Sequence, residues 1–142
     1  MTNISIRYGT GHIDCSAVCE VVRRAPLGSR NKEKLQRAAE NSHVVCTAYA
    51  GHILIGFGRA LSDGHLQSAI YDVVVLPEYQ GRGVGRKIME ALLSRLPAKG
   101  AVLLYAAPGK LAFYRKHGFG LLKTGMANFP DSERYRAEGY LE

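Results

Sequence analysis

The sequence predicts an α/β protein in which helices cover a mixed β-sheet. Apolar runs of strand length alternate with segments whose apolar residues recur at helical spacing. Short turns connect the early runs, which indicates hairpins. Later a strand, a helix and a second strand follow one another, which indicates a crossover connection. Because the chain has 142 residues and no linker or repeat, residues 1–142 are expected to form one domain.

Each element has a local signal. Asp14 and Asn31 stand at the starts of two amphipathic segments, where a side-chain oxygen caps the first turn of a helix. The nearly unbroken apolar run at residues 69–76 predicts a strand that is buried on both faces. The predicted helices are residues 14–24, 31–40, 84–96 and 111–117, and the predicted strands are residues 4–8, 44–50, 53–61, 69–76, 101–106 and 119–124.

The C-terminal tail, residues 126–142, has no clear periodicity. Phe129, Tyr135 and Tyr140 give it three large aromatic side chains, which we expect to pack within the chain or on the partner subunit of a homodimer. The alternative expectation is that this segment forms a final strand.

Composition limits the partners and the compartment. The formal net charge of +7 favours a polyanionic partner: a nucleic acid, an anionic membrane or a phosphate-rich cofactor. However, the lysines and arginines are dispersed, which argues against a nucleic-acid-binding arm, and no apolar run approaches the ~20 residues of a membrane span. Cys15, Cys19 and Cys46 lack the spacing of a disulfide framework or a metal site. We therefore expect buried free thiols in a cytoplasmic protein that binds no metal.

Residues 80–86 (QGRGVGR) join a predicted buried strand to an amphipathic helix. Gly81, Gly83 and Gly85 stand at alternate positions, where the missing side chain permits positive φ and a close approach to the backbone. Backbone N–H groups then converge at the positive end of the helix dipole and form an anion site of the phosphate-binding type. Arg82 and Arg86 add positive charge. The spacing fits neither a Walker loop nor a dinucleotide fingerprint, and a tight turn without a ligand is the alternative.

This turn and its surroundings resemble a known family. Residues 73–85 (VVVLPEYQGRGVG) are similar to the acetyl-CoA-binding segment of GNAT-type N-acetyltransferases, where a hydrophobic strand, a proline and Gln/Arg-x-x-Gly-x-Gly/Ala lead into a helix. Residues 112–119 (AFYRKHGF) resemble the family's Phe-Tyr-x-x-x-Gly-Phe segment. The resemblance implies a mostly antiparallel mixed sheet of about six or seven strands, about four flanking helices, and two central parallel strands that splay apart.

The resemblance also implies which residues bind acetyl-CoA as co-substrate. The pantetheine arm pairs with the backbone of the central strand, and the diphosphate lies on the N–H groups of the turn. Tyr114 matches the family's tyrosine near the sulfur, a general acid for the departing thiolate, although packing in the hydrophobic layer would also explain it. The implied cofactor-binding residues are Val73, Val74, Val75, Gly81, Arg82, Gly83, Val84, Gly85 and Arg86.

The general base stays open. Ala69 and Tyr71 occupy positions where many family members carry a carboxylate or a histidine, so a water relay past Tyr71 is one solution. Asp72 is the other. Strand alternation, however, directs Asp72 to the face opposite Tyr71, and a buried partner such as Arg59 would give it a structural role.

The predicted function is transfer of the acetyl group of acetyl-CoA to a primary amine of a small molecule, by direct attack in a ternary complex. Transfer to a protein N-terminus or lysine is one alternative, and a non-catalytic acyl-CoA sensor is another. Tyr114 favours catalysis, because a sensor needs no proton donor. The dispersed lysines and arginines argue against a nucleic-acid-binding domain. No membrane partner is expected.

Overall fold

The structure of the protein is a computed structural model that describes residues 3–142. The chain forms two compact units: the first ends at Leu104, and the second comprises Tyr105–Glu142. No helix among the described residues is long and apolar enough to cross a bilayer. That residues 1–142 form a single domain stays a prediction.

The first unit is built on a five-stranded sheet in the order β1-β2-β3-β4-β5. All neighbouring strands are antiparallel except β4 and β5, which are parallel. The predicted mixed, mostly antiparallel sheet is therefore confirmed, with five strands in place of six or seven. The elements are β1 (Ile4–Tyr8), α1 (Cys15–Arg24), α2 (Lys32–Glu40), β2 (Val44–Ala50), β3 (Ile53–Ser62), β4 (Gln67–Val75), a 3-10 turn (Pro77–Tyr79), α3 (Val84–Ser94) and β5 (Ala101–Leu103).

Both predicted helix caps are confirmed. The Asp14 carboxylate accepts hydrogen bonds from the backbone N–H groups of Ser16 and Ala17, and the Asn31 side chain accepts one from Lys34. A side-chain oxygen at this position satisfies N–H groups that have no partner within the helix, which typically contributes about 1 kcal/mol. The two caps fix where α1 and α2 begin.

Helix α3 packs closely on β3. An added Cβ at Gly56 or Gly58 would stand 2.8 Å from an Ile88 methyl carbon, so glycine at both positions admits this side chain. β2 is buried along its whole length. The expected burial of both faces of β4 is wrong, because only Ser68, Ile70 and Val74 of this strand are buried. β5 pairs only with the start of β4, and most residues in the rest of β4 are half-buried.

The second unit contains two short helices, α4 (Leu111–Arg115) and α5 (Ser132–Ala137). The predicted strand at residues 119–124 is wrong: these residues are irregular, and Leu121 and Leu122 are exposed. A strand needs a hydrogen-bonded neighbour, and within the second unit this segment has none. Gly120 interrupts it as well, and Gly118 and Gly125 stand directly before and after it.

The tail packs within the chain through its aromatic side chains. The rings of Phe129 and Tyr135 stack with their centroids 3.8 Å apart. Tyr105 and Tyr140 meet the Phe129 ring edge-on, at 5.4 Å and 6.5 Å respectively. The final strand expected within residues 126–142 is replaced by α5, which the Asp131 side chain caps through the backbone N–H of Arg134.

We predict that Gly56→Ala destabilises the first unit by about 1–3 kcal/mol, because the new methyl group meets an Ile88 methyl at 2.8 Å and the Val74 carbonyl oxygen at 3.1 Å. The measurement is the urea concentration at the midpoint of unfolding. Gly11→Ala is the matched control, since nothing lies within 4 Å of its added Cβ. Equal midpoints for the two variants would contradict the packing of α3 on β3.

Candidate functional site

The candidate site lies where β4 ends and α3 begins. Leu76 follows the last residue of β4, and its N–H donates to the Ile55 carbonyl at 2.8 Å, which holds the strand end to β3. After the 3-10 turn, Gly81 and Gly83 take φ values of +78° and +83°. These are left-handed conformations that residues with a side chain rarely adopt, so the turn requires glycine at both positions. Gly85 lies inside α3 without a positive φ.

The first turn of α3 presents free backbone donors. Gly83, the residue before the helix, provides no side-chain cap. The first hydrogen bond of the helix runs from the N–H of Lys87 to the carbonyl of Gly83, at 3.1 Å. Within the described residues, the N–H groups of Val84, Gly85 and Arg86 donate to no backbone carbonyl. Together with the positive end of the helix dipole, these donors can hold an anion such as a phosphate.

The space in front of the turn is open. An added Cβ at Gly81 would meet no atom within 4 Å, and one at Gly83 would meet only Arg86 Nη2, at 3.8 Å. Arg82 is exposed and its guanidinium carbon lies 5.5 Å from the centre of the Tyr79 ring. Arg86 is also exposed. The arrangement places positive charge and backbone N–H groups beside a surface that no side chain of the turn occupies.

The sequence did not reveal how the turn is fastened to the strand. The Gln80 side-chain amide donates a hydrogen bond of 2.9 Å to the Val75 carbonyl, which lies at the end of β4. This contact bridges the last residue of the strand and the start of the glycine segment. The sequence does show a glutamine directly before the first glycine. It does not show which atom this side chain binds, because the acceptor is a backbone carbonyl.

One edge of β4 is only partly paired. The parallel ladder joins Gln67, Ser68 and Ala69 to β5 and then ends. Within residues 3–104, no strand pairs with residues 70–75 on that side. This stretch includes Val73, Val74 and Val75, of which Val74 is buried and the other two are half-buried. The backbone groups along this edge can therefore pair with an extended ligand, as an added strand would.

β4 carries a bulge at Asp72, which the sequence did not predict. Asp72 has a φ of +58° and is the one residue other than glycine with positive φ among those described. The register with β3 shifts here: Arg59 pairs with Tyr71, whereas Phe57 pairs with Val74. The extra residue interrupts the regular alternation of side chains. The prediction that Asp72 and Tyr71 point to opposite faces assumed regular alternation, and regular alternation does not apply to this part of β4.

The carboxylate of Asp72 binds two arginines. Its Oδ2 accepts from Arg59 Nε at 2.8 Å, which confirms the predicted partner, and its Oδ1 accepts from Arg30 Nη2 at 3.0 Å, which the sequence did not reveal. The Asp72 side chain is only 9% exposed. Because both oxygens are bound to guanidinium groups, the geometry favours a structural role for Asp72. Tyr71, the other candidate, lies beneath Arg59, whose Cζ is 5.3 Å from the ring centre.

Tyr114 lies in α4, within the second unit. Its ring packs edge-on against Phe113 and Phe119, with centroids 5.0 Å and 6.2 Å away. Burial raises the pKa of the Tyr114 phenol above its usual value of 10.0. The hydroxyl is therefore protonated at neutral pH, as a proton donor must be.

The cysteines are free, and Cys15 and Cys46 are buried. Burial raises the pKa of the Cys46 thiol to about 11, and it raises the pKa of Cys15 as well. Thiolates are therefore scarce at neutral pH, which argues against a cysteine nucleophile. Among the described residues, no three histidine, cysteine or acidic side chains are grouped so that they could hold a metal ion.

Comparison with known proteins identifies relatives along most of the chain. Residues 4–119 match the model of the acetyltransferase (GNAT) family. The chain is 38% identical over 124 residues to serotonin N-acetyltransferase 2, chloroplastic, from Oryza sativa, a match covering 82% of this chain and 62% of that protein. It is 35% identical over 121 residues to histone acetyltransferase TAP1 from Glycine max, covering 75% of this chain and 50% of that protein. The chain thus spans between half and two thirds of the length of these two relatives.

A solved structure agrees with the fold. The chain superposes on a GNAT family acetyltransferase from Streptococcus pneumoniae TIGR4 with a TM-score of 0.78 and 28% identity, covering 89% of this chain and 98% of that one. The family match includes both the β4–α3 turn and the segment around Tyr114. The chain therefore belongs to the GNAT family of acetyltransferases.

Proposed function

We propose that this protein is an acetyl-CoA-dependent N-acetyltransferase whose acceptor is a primary amine of a small molecule. The observation that carries the proposal is the β4–α3 turn, which holds free backbone N–H groups at an open surface within a chain that matches the family from residue 4 to 119. Family membership implies the use of acetyl-CoA. Binding of this polyanionic co-substrate would also account for the formal net charge of +7.

The residues of the first unit fit acetyl-CoA. The diphosphate would lie on the N–H groups of residues 81–86, where an added Cβ at Gly83 would take up the space of the ligand. Arg82 and Arg86 would balance its charge. The pantetheine arm would pair with the backbone of Val73, Val74 and Val75 along the open edge of β4.

The chemistry needs few groups from the protein. The neutral amine attacks the thioester carbonyl carbon, the C–S bond breaks, and the Tyr114 hydroxyl donates its proton to the departing sulfur. A backbone N–H near Val75 would bind the carbonyl oxygen as negative charge develops. The amine nitrogen loses one proton to solvent, directly or through a water relay past Tyr71, and the Tyr114 phenolate regains one proton from solvent. The products are an amide and free coenzyme A.

The identity of the acceptor is the finer part of the proposal. A small amine is favoured because the rice relative, 38% identical, is named a serotonin N-acetyltransferase. A protein amine is the second candidate, because the soybean relative is named a histone acetyltransferase. A cytoplasmic location and a homodimer stay predictions, and the rice relative is named as chloroplastic.

We expect release of free thiol from acetyl-CoA when the protein is given a small primary amine. The test mixes protein and acetyl-CoA with arylalkylamines, polyamines, amino sugars or a lysine-containing histone peptide, and measures thiol with a chromogenic reagent. Turnover with a small amine and not with the peptide supports the proposal. Turnover with the peptide alone would assign the protein-amine function, and binding of CoA without turnover would assign the sensor function.

Gly83→Leu is expected to weaken CoA binding at least about tenfold, because the side chain blocks the N–H groups that would hold the diphosphate. The measurement is the dissociation constant from titration calorimetry. Gly64→Leu is the matched control: Gly64 has a φ of +80° against +83° at Gly83, and its added Cβ meets nothing within 4 Å, whereas that of Gly83 meets only Arg86 Nη2, at 3.8 Å. Both variants carry the same backbone strain, about 1–2 kcal/mol. Equal affinities would remove the turn from the CoA site.

Tyr114→Phe is expected to lower kcat by about 100-fold or more, because the sulfur leaves without a proton donor, while CoA affinity changes less than about twofold. In the natural protein the raised pKa of Tyr114 keeps the acid protonated at neutral pH, so activity should fall only as pH rises above 10.0 through that pKa. The measurement is kcat against pH. Tyr135→Phe, which keeps the ring stacked on Phe129, is the control. Unchanged kcat in Tyr114→Phe would show that another group is the acid.

A further inference from the structure

Within residues 3–104, the bulge in β4 lies on the part of the strand that has no partner strand on the β5 side. The ladder to β5 ends at Ala69, and the bulge follows three residues later, within the stretch whose outer edge is open. The left-handed φ at Asp72 turns the peptide groups on either side of it. Their direction decides how the backbone of Val73 and Val75 presents its donors and acceptors to a ligand along that edge.

This conformation needs support from elsewhere. A left-handed residue with a side chain costs about 1–3 kcal/mol and persists only where the surroundings enforce it. Here the support is ionic: Arg59 belongs to β3, and Arg30 belongs to the loop between α1 and α2. The side chains of Asp72 and Arg59 are largely buried, whereas that of Arg30 is 35% exposed. Because moving the buried carboxylate away from its partners would leave its charge without compensation, the ion pairs resist a change in its position.

Arg30 also braces its own loop. Besides the bond to Asp72, its Nη1 donates to the backbone carbonyls of Leu27 and Ser29, at 3.4 Å and 3.2 Å. The Cys19 thiol of α1 lies 3.6 Å from the Arg30 carbonyl as a weak donor. The side chain of Arg30 therefore joins the α1–α2 loop to the bulge of β4 directly.

We propose that Asp72 is a positioning residue that fixes the open edge of β4 for the thioester and, through Arg30, ties the α1–α2 loop to that edge. The inference rests on the proposed function for its kinetic part and on the geometry alone for its structural part. Asp72 acts here as a fixed anion between two cations and not as a base. The α1–α2 loop thereby becomes part of the same rigid assembly as the strand that would hold the acetyl group.

The variants separate charge from backbone conformation. Asp72→Asn keeps a residue that tolerates positive φ and a side-chain oxygen that can accept a hydrogen bond, but it removes the charge and with it both ion pairs. Asp72→Gly also tolerates the conformation, and it removes the side chain and every hydrogen bond that the side chain accepts. We expect kcat to fall about tenfold in Asp72→Asn and about 100-fold in Asp72→Gly, with the dissociation constant of CoA within about twofold of the natural protein. All rates are expressed per CoA-binding site, so that loss of folded protein does not lower them.

Arg30→Ala releases the α1–α2 loop from Asp72, while Arg59 still binds the other oxygen of the carboxylate. We expect the KM for the amine to rise about tenfold while kcat changes less than about threefold, and Arg30→Lys to recover part of the loss because it keeps the charge. Glu20→Gln is the control, since it removes an ion pair with Arg23 on the exposed face of α1. A residue that served stability alone would lower the unfolding midpoint without this division between kcat and KM.

Hydrogen exchange tests the proposal independently of activity. We expect faster amide exchange in peptides covering residues 70–76 in Asp72→Asn, and in peptides covering residues 25–31 in both Asp72→Asn and Arg30→Ala. Exchange in Asp72→Asn equal to that of Glu20→Gln would overturn the positioning role whatever the enzyme activity. Absence of acetyl transfer by the natural protein, together with the expected exchange pattern, would instead overturn the proposed function and leave the structural coupling in place.

Discussion

The parallel pairing of β4 with β5 ends after three residue pairs, and the site depends on this early end. A sheet normally satisfies the backbone groups on both edges of an inner strand. Here β4 pairs with β3 on one side, apart from the bulge at Asp72, while residues 70–75 keep an open edge on the other side within the first unit. A strand in this state can accept an extended ligand without losing its own place in the sheet, because the β3 ladder still holds it.

Those features of the site that follow from local chemistry were predictable from the sequence. Positive φ at Gly81 and Gly83 follows from glycines at a strand-to-helix turn, and the caps at Asp14 and Asn31 follow from polar residues before amphipathic segments. The Asp72–Arg59 pair was also predictable, because two charged residues in otherwise apolar strands require partners.

The remaining features depend on contacts between distant residues. Arg30 reaches Asp72 across 42 positions of sequence, and nothing in the local pattern marks Arg30 as its partner. The bulge cannot be read from an alternating pattern, since an unbroken apolar run looks the same with or without an extra residue. The predicted strand at residues 119–124 failed for a related reason: its composition suits a strand, but a strand forms only when a neighbour pairs with it.

β3 positions the parts of the site that β4 presents. Its Ile55 carbonyl accepts from Leu76 and so fixes the point at which β4 gives way to the turn. Its Gly56 and Gly58 admit Ile88 of α3, which sets the depth at which the helix, and with it the free N–H groups of its first turn, lies on the sheet. Arg59, the residue after Gly58, binds Asp72 and holds the bulge. Because three contacts along one strand set the strand end, the helix and the bulge together, a shift of β3 would displace all of them at once. The rigidity of the site therefore originates in a strand that contributes no residue to the proposed chemistry.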